Sequence, residues 1–279
     1  MVHNFRPTCG EAVQPTGWHD AGVSDHAEDA FAAAWRAWHE AREQRLRDPR
    51  GWLAVTAIHW LSRAPRRFDD TPGAWSAVPL ADAVGATVTL DDGEELTHDG
   101  AVLRAGAHYL GPLDEHGTTL ASGDAVVEVA ERDGRVIVRP RHPDSPHLRA
   151  YRGTPCYPPD PAWVLPARYA PYLSPRGEAV GEVVLHRAGS EHRLVAWDGD
   201  EGCLWILFRD RTSGVTTYAA NRQLLTDPPT PDGHVVLDLN RATNMPCAYT
   251  DFATCPVAPA TNVLPFAVEA GEQMPLLRP

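Results

Sequence analysis

Four dipeptides, Asp92-Gly93, Asp99-Gly100, Ser122-Gly123 and Asp133-Gly134, punctuate residues 64–150, and between them short runs alternate apolar with polar residues. Such dipeptides supply the backbone angles of tight hairpins, and a two-residue period puts every second side chain on one face of a strand. The pattern predicts strands at 87–90, 101–104, 118–120, 125–129 and 136–138, a meander or sandwich. A proline-rich bridge, Pro155 to Pro161, interrupts it. Strands are expected again at 181–186, 193–197, 204–208, 215–218 and 235–239. The chain shows neither a parallel strand–helix rhythm nor a Gly-x-Gly-x-x-Gly run, so a dinucleotide-binding doubly wound sheet is excluded.

The N-terminal quarter reads differently. Residues 1–24 have no periodicity and are expected to be a flexible arm. Asp25 and Glu28 sit as in a capping box, Phe31, Trp35 and Trp38 recur at helical spacing, and Asp48-Pro49-Arg50-Gly51 supplies a stop. These signals predict a helix of roughly 23 residues, its tryptophan stripe serving to dock it on the meander. Residues 51–61 are apolar on nearly all sides and should be buried, as a short helix or a strand. The expected fold is mainly β with an N-terminal α-helix. It divides into an arm (1–24), the helix and apolar segment (25–63), a β-sandwich-like unit (64–154) and a second antiparallel β unit (155–279).

Composition removes several chemistries. All 25 basic residues are arginine, which excludes Schiff-base catalysis and the phosphate-binding lysine of a P-loop. A net charge of −12 argues against a nucleic-acid partner. There is no apolar stretch of about 18 residues, and Met1 to Gly10 lack the apolar core of a signal peptide, so no membrane partner is expected and the cytoplasm is the expected location. No Cys-x-x-Cys pair occurs, and neither a metal nor a cofactor is implied.

The polar signal concentrates late. Four of the five asparagines, Asn221, Asn240, Asn244 and Asn262, fall within 42 residues, beside Arg222, Arg241, Cys247 and Cys255. On a strand over 235–239, Asp238 and Asn240 would project together from the face opposite Val235, Leu237 and Leu239. Arg222 and Arg241 are fork donors for an anion, or ion-pair partners of Asp238, Asp210 or Glu272. Four readings of Cys247 and Cys255 compete: a disulfide, which a reducing cytoplasm disfavours, a zinc site, which would need two further ligands, a nucleophile at Cys247, and two buried structural thiols, the preferred one.

The string Asp238-Leu-Asn240-Arg241-Ala-Thr-Asn244-Met-Pro246-Cys247-Ala248-Tyr249, with Asp210, Thr212, Thr217, Tyr218 and Arg222 before it and Cys255-Pro256, Asn262 and Ala270-Gly271-Glu272 after it, resembles the DUF1684 family. Gly51-Trp52-Leu53 and His59-Trp60-Leu61 are similar to that family's N-terminal signature. Leu239, Met245 and Asn221 depart from its usual residues. The resemblance implies a site region and no reaction.

The sequence-level hypothesis is a cleft formed by Tyr218, Arg222, Asn240, Arg241, Asn244 and Tyr249 that binds a small, polar, anionic ligand, with Asp238 and Cys247 as catalytic residues. The enzyme would be a cofactor-independent hydrolase or lyase. The alternatives are a non-catalytic small-molecule-binding protein and a structural or interaction scaffold. In the scaffold, the same groups would saturate one another.

Overall fold

The computed structural model describes residues 25–276, and the expected arm, 1–24, lies outside the described residues. Helix α1 spans Asp25–Leu46. The stop works as expected: Gly51 N–H donates to the Asp48 carbonyl at 2.9 Å and Arg50 N–H to the Asp48 carboxylate at 2.8 Å. The apolar segment after it is split. Trp52–Ala54 is a 3-10 turn and His59–Trp60 a two-residue edge strand, with Leu53, Ala54 and Val55 buried.

Two antiparallel sheets follow. One runs Arg66–Phe68, Thr71–Pro79, Val84–Leu90, Gly106–Leu113. The other has the order His59–Trp60, Arg135–Arg141, Ala125–Arg132, Thr118–Ser122, Leu96–His98, Ala101–Leu103. They share one core, in which Trp75 and Val88 from the first sheet meet Leu120, Val129 and Val138 from the second. The two-residue period forces this division: Val127 and Val129 turn inward, so Glu128 is left on the outer face.

The third sheet has seven antiparallel strands, in the order His234–Asp238, Val164–Arg176, Ala179–Arg187, Ser190–Asp198, Leu204–Phe208, Arg222–Leu225, Thr243–Asn244. Val183, Leu185, Leu194, Ile206 and Leu237 fill its core. The expected strand at 215–218 is absent. That stretch belongs to a loop closed by Thr212, whose carbonyl accepts from the Val215, Thr216 and Thr217 amides. Val164–Arg176 was hidden by its prolines, yet it pairs with a neighbour on each side.

Helix α1 docks on the C-terminal unit rather than on the sandwich. Trp35 Nε1 donates to the Asn240 carbonyl at 3.0 Å, and Leu46 packs with Leu53, Ala248 and Tyr249. The partners of the buried helix side chains Arg42 and Glu43 also lie there. Charged groups leave water only where they are paired, and this decides which surface the helix covers.

Gly271 lies beneath this junction at φ +75°, where an added Cβ would stand 2.5 Å from the Ala242 carbonyl oxygen and 2.9 Å from that of Leu239. Gly271→Ala is expected to cost about 2 kcal/mol or more, through both the left-handed backbone and the clash. A urea titration should show a lower midpoint at unchanged slope, and an unchanged midpoint would contradict this packing.

Candidate functional site

Arg222 opens its strand directly opposite Phe208 and Asn244. Its Nη2 donates to Asp210 Oδ2 at 2.8 Å, with both side chains shut off from solvent. The same guanidinium donates to the carbonyls of Ala270 and Val268, and it lies 5.2 Å from the centre of the Phe208 ring. Asp210 Oδ1 in turn accepts from the Thr212 amide, the Thr212 hydroxyl and the Val268 amide. Burial lowers the Arg222 pKa, and Asp210 opposes that. The arginine holds the 268–272 segment against the sheet. It is not aimed at a cleft.

Glu272, a candidate ion-pair partner in the sequence, centres a second cluster. Its Oε1 accepts from Arg42 Nε at 3.0 Å, and its Oε2 accepts from the Asn244 amide at 2.6 Å and the Tyr249 hydroxyl at 3.0 Å. Tyr249 continues to Thr154 (2.9 Å), Thr154 to Tyr151 (2.7 Å), and Tyr151 to Glu43 on the helix (2.7 Å). Burial, with Glu272 beside it, drives the Tyr249 phenol well above its usual range. The free thiol of Cys156 is likewise raised, by burial and then by Glu272 and Glu43, and it stays protonated at neutral pH.

Asp238 and Asn240 do not project from one strand face. The strand ends at Asp238, whose carboxylate caps the 3-10 turn Leu239–Arg241 by accepting from the Asn240 amide at 3.1 Å and from Asn240 Nδ2 at 2.9 Å. An aspartate that can bond its own backbone two residues on ends a strand in this way. Asn240 also clasps the Asp160 backbone in both directions, at 2.9 and 3.0 Å. Arg241 Nε lies 3.2 Å from Asp238 Oδ2, and its guanidinium faces Trp38. Burial raises the Asp238 carboxyl, partly countered by Asn240 and Arg241.

The structure corrects the reading of Cys247. Cys247 and Cys255 form a disulfide, their Cα atoms 5.7 Å apart, so Cys247 is neither a free structural thiol nor an available nucleophile. The 3-10 turn Pro246–Ala248 folds the loop back so that the two residues meet. Tyr218 donates its hydroxyl to the Cys247 carbonyl at 2.9 Å.

The eight predicted residues thus fall into adjoining but separate clusters, each packed against its own partners. Seven of them are buried and Tyr218 is half-buried. A groove of about 420 Å³ lies elsewhere, over the strands carrying Glu182 and Arg193 and beside Val263, and none of the eight lines it. Among the described residues no three His, Cys, Asp or Glu are grouped to hold a metal ion, and no helix is long and apolar enough to cross a membrane. Arg42, Glu43, Thr154 and Tyr151 were missed. Two adjacent charges within the helix were the available signal.

Comparison with known proteins bears on this region. Residues 149–273 match the family described as "Protein of unknown function (DUF1684)". This matched segment is similar to the DUF1684 family. It contains Asp210, Arg222, Asp238, Tyr249 and Glu272, so the networks above lie within the matched residues apart from their helix contribution. A solution structure of an uncharacterized protein from Haloarcula marismortui is similar at 28% identity over 46% of this chain and 80% of that one, with a TM-score of 0.41. No curated protein matches the chain.

Two expectations follow for the matched segment. Arg222→Met leaves Asp210 charged and unpaired in the interior and should cost about 3–5 kcal/mol in chemical denaturation. Asp238 has a folded pKa above its unfolded value of 3.8, so its contribution is fully present below pH 3.8 and is lost as pH rises through the raised value. Relative to Asp238→Asn, the wild type should therefore lose stability as pH climbs from about 4, measured as the difference in Tm between the two proteins.

Proposed function

We propose that this chain acts without turnover, as a structural or interaction scaffold, and that the polar residues of its DUF1684 segment hold the loop architecture together. The carrying observation is mutual pairing, with Arg222 Nε and Asn244 Oδ1 the unpartnered exceptions among these side chains. Arg222 is occupied by Asp210 and two carbonyls, Asn240 by Asp160 and Asp238, and Glu272 by Arg42, Asn244 and Tyr249. Groups that bind or convert a ligand need unspent donors, whereas buried groups occupied by one another serve rigidity. The nucleophile position is also occupied, by the disulfide.

A second reading, the hydrolase or lyase, draws its support from one feature, the raised Asp238 carboxyl beside Arg241. Perturbed carboxylates of this kind accompany acid–base sites as well as structural ion pairs. A small molecule bound in this segment, without turnover, would be the third.

A metabolite-library thermal-shift screen on wild type and Asp238→Asn separates them. The scaffold reading expects no metabolite of the library to raise the wild-type Tm through this segment. A compound that stabilises the wild type by several degrees and has no effect on a folded Asp238→Asn variant would overturn it.

A further inference from the structure

The outer face of the six-stranded sheet, in the other half of the chain, has a charge imbalance that the clusters above do not have. Glu128 sits directly across from Arg139 on the neighbouring strand. Arg132, Arg139 and Arg141 all converge on this one carboxylate, at 3.3, 3.3 and 2.5 Å. Three positive charges share one negative, a local surplus of two in a chain whose net charge is −12.

The donors are also unequally used. Arg132 Nη1 is engaged by the Glu115 and Glu131 carbonyls, and Arg141 Nη1 by that of Arg50. Arg139 is fully buried and reaches Glu128 through Nη1 alone. Its Nε and Nη2 have no acceptor. Those two atoms form one edge of the guanidinium, whose parallel N–H bonds match two oxygens of a single oxyanion. Burial, then Arg132 and Arg141, against the pull of Glu128, push the Arg139 pKa down to about 10, as expected of a cation short of anions. The Trp52 ring faces both Arg139 and Arg141, at 4.8 and 5.1 Å from ring centre to guanidinium carbon.

We propose that this face is a binding site for a doubly charged oxyanion, a phosphate or the phosphate of a small phosphomonoester, held by the free edge of Arg139 with Arg132 and Arg141 around it. The surplus of two charges matches a phosphate dianion, and the paired N–H edge matches its geometry. Arg132 and Arg141 stay partly exposed and form the approach. A free phosphomonoester is favoured over a lipid headgroup, because Arg139 is fully buried and the chain is strongly acidic overall.

Titration calorimetry with inorganic phosphate, at ionic strength matched with chloride, tests this on the full chain. Arg141→Gln and Glu128→Gln are preferred to an Arg139 variant because their positions are partly exposed, and circular dichroism confirms their folding. The wild type should bind phosphate, Arg141→Gln should bind roughly tenfold more weakly, and Glu128→Gln, freed of the competing carboxylate, roughly tenfold more tightly. The two opposite changes must appear together. No heat beyond the chloride control, or either variant matching the wild type, overturns the proposal. Co-sedimentation with phosphatidic acid vesicles would overturn the assignment to a free phosphomonoester.

Discussion

Glu272 carries its charge where no water reaches, and the C-terminal half is arranged around the donors it needs. One comes from the N-terminal helix as Arg42, one from the backbone of Asn244 and one from Tyr249. Because these donors lie up to 230 positions from Glu272 in sequence, satisfying one carboxylate joins the helix, the last strand of the seven-stranded sheet and the final segment of the described chain. The Arg222–Asp210 pair lies next to it and clamps that same final segment through the Ala270 and Val268 carbonyls. Neither pair has to add much net stability over a hydrophobic replacement. What a buried ion pair supplies is specificity, since any other arrangement strands a charge in the interior.

The four charged clusters differ in their balance, and the difference carries meaning. Arg222 with Asp210, and Arg42 with Glu272, are matched one to one in charge, with Arg222 Nε left without an acceptor. Asp238 and Arg241 are matched too, with Asp227 close enough to feel both of them. The Glu128 cluster is the one in which cations outnumber anions around a buried guanidinium that still holds two unused donors. Balanced clusters need nothing further, whereas an unbalanced one in a low-dielectric setting is completed by something that brings charge with it.

Much of the fold was legible in the residues. The turn dipeptides near 92, 99, 122 and 133 fall between strands as expected, and the 204–208 run is the strand Leu204–Phe208. Misreadings came where local chemistry overrode the period. Asp238 ends a strand by capping, so Asn240 never shares its face. Thr212 gathers residues 215–217 into a loop although their pattern alternates. The polar cluster was found in the correct stretch of chain, but its partners Arg42, Glu43 and Thr154 lie between 95 and 230 positions from Tyr249 and Glu272, and no sequence window contains both ends.

Alternation, turn residues and capping signals act over a few positions, and they sufficed to determine that this chain forms one long N-terminal helix followed by antiparallel sheets, with no lysine chemistry available to it. Where the helix rests, which cysteines meet, and whether an arginine is an ion-pair partner or a ligand clamp were decided only in three dimensions. Those outcomes depend on which buried charge finds which distant counter-charge. Coulomb attraction and desolvation are set by separation in space, and separation along the chain carries almost no information about that.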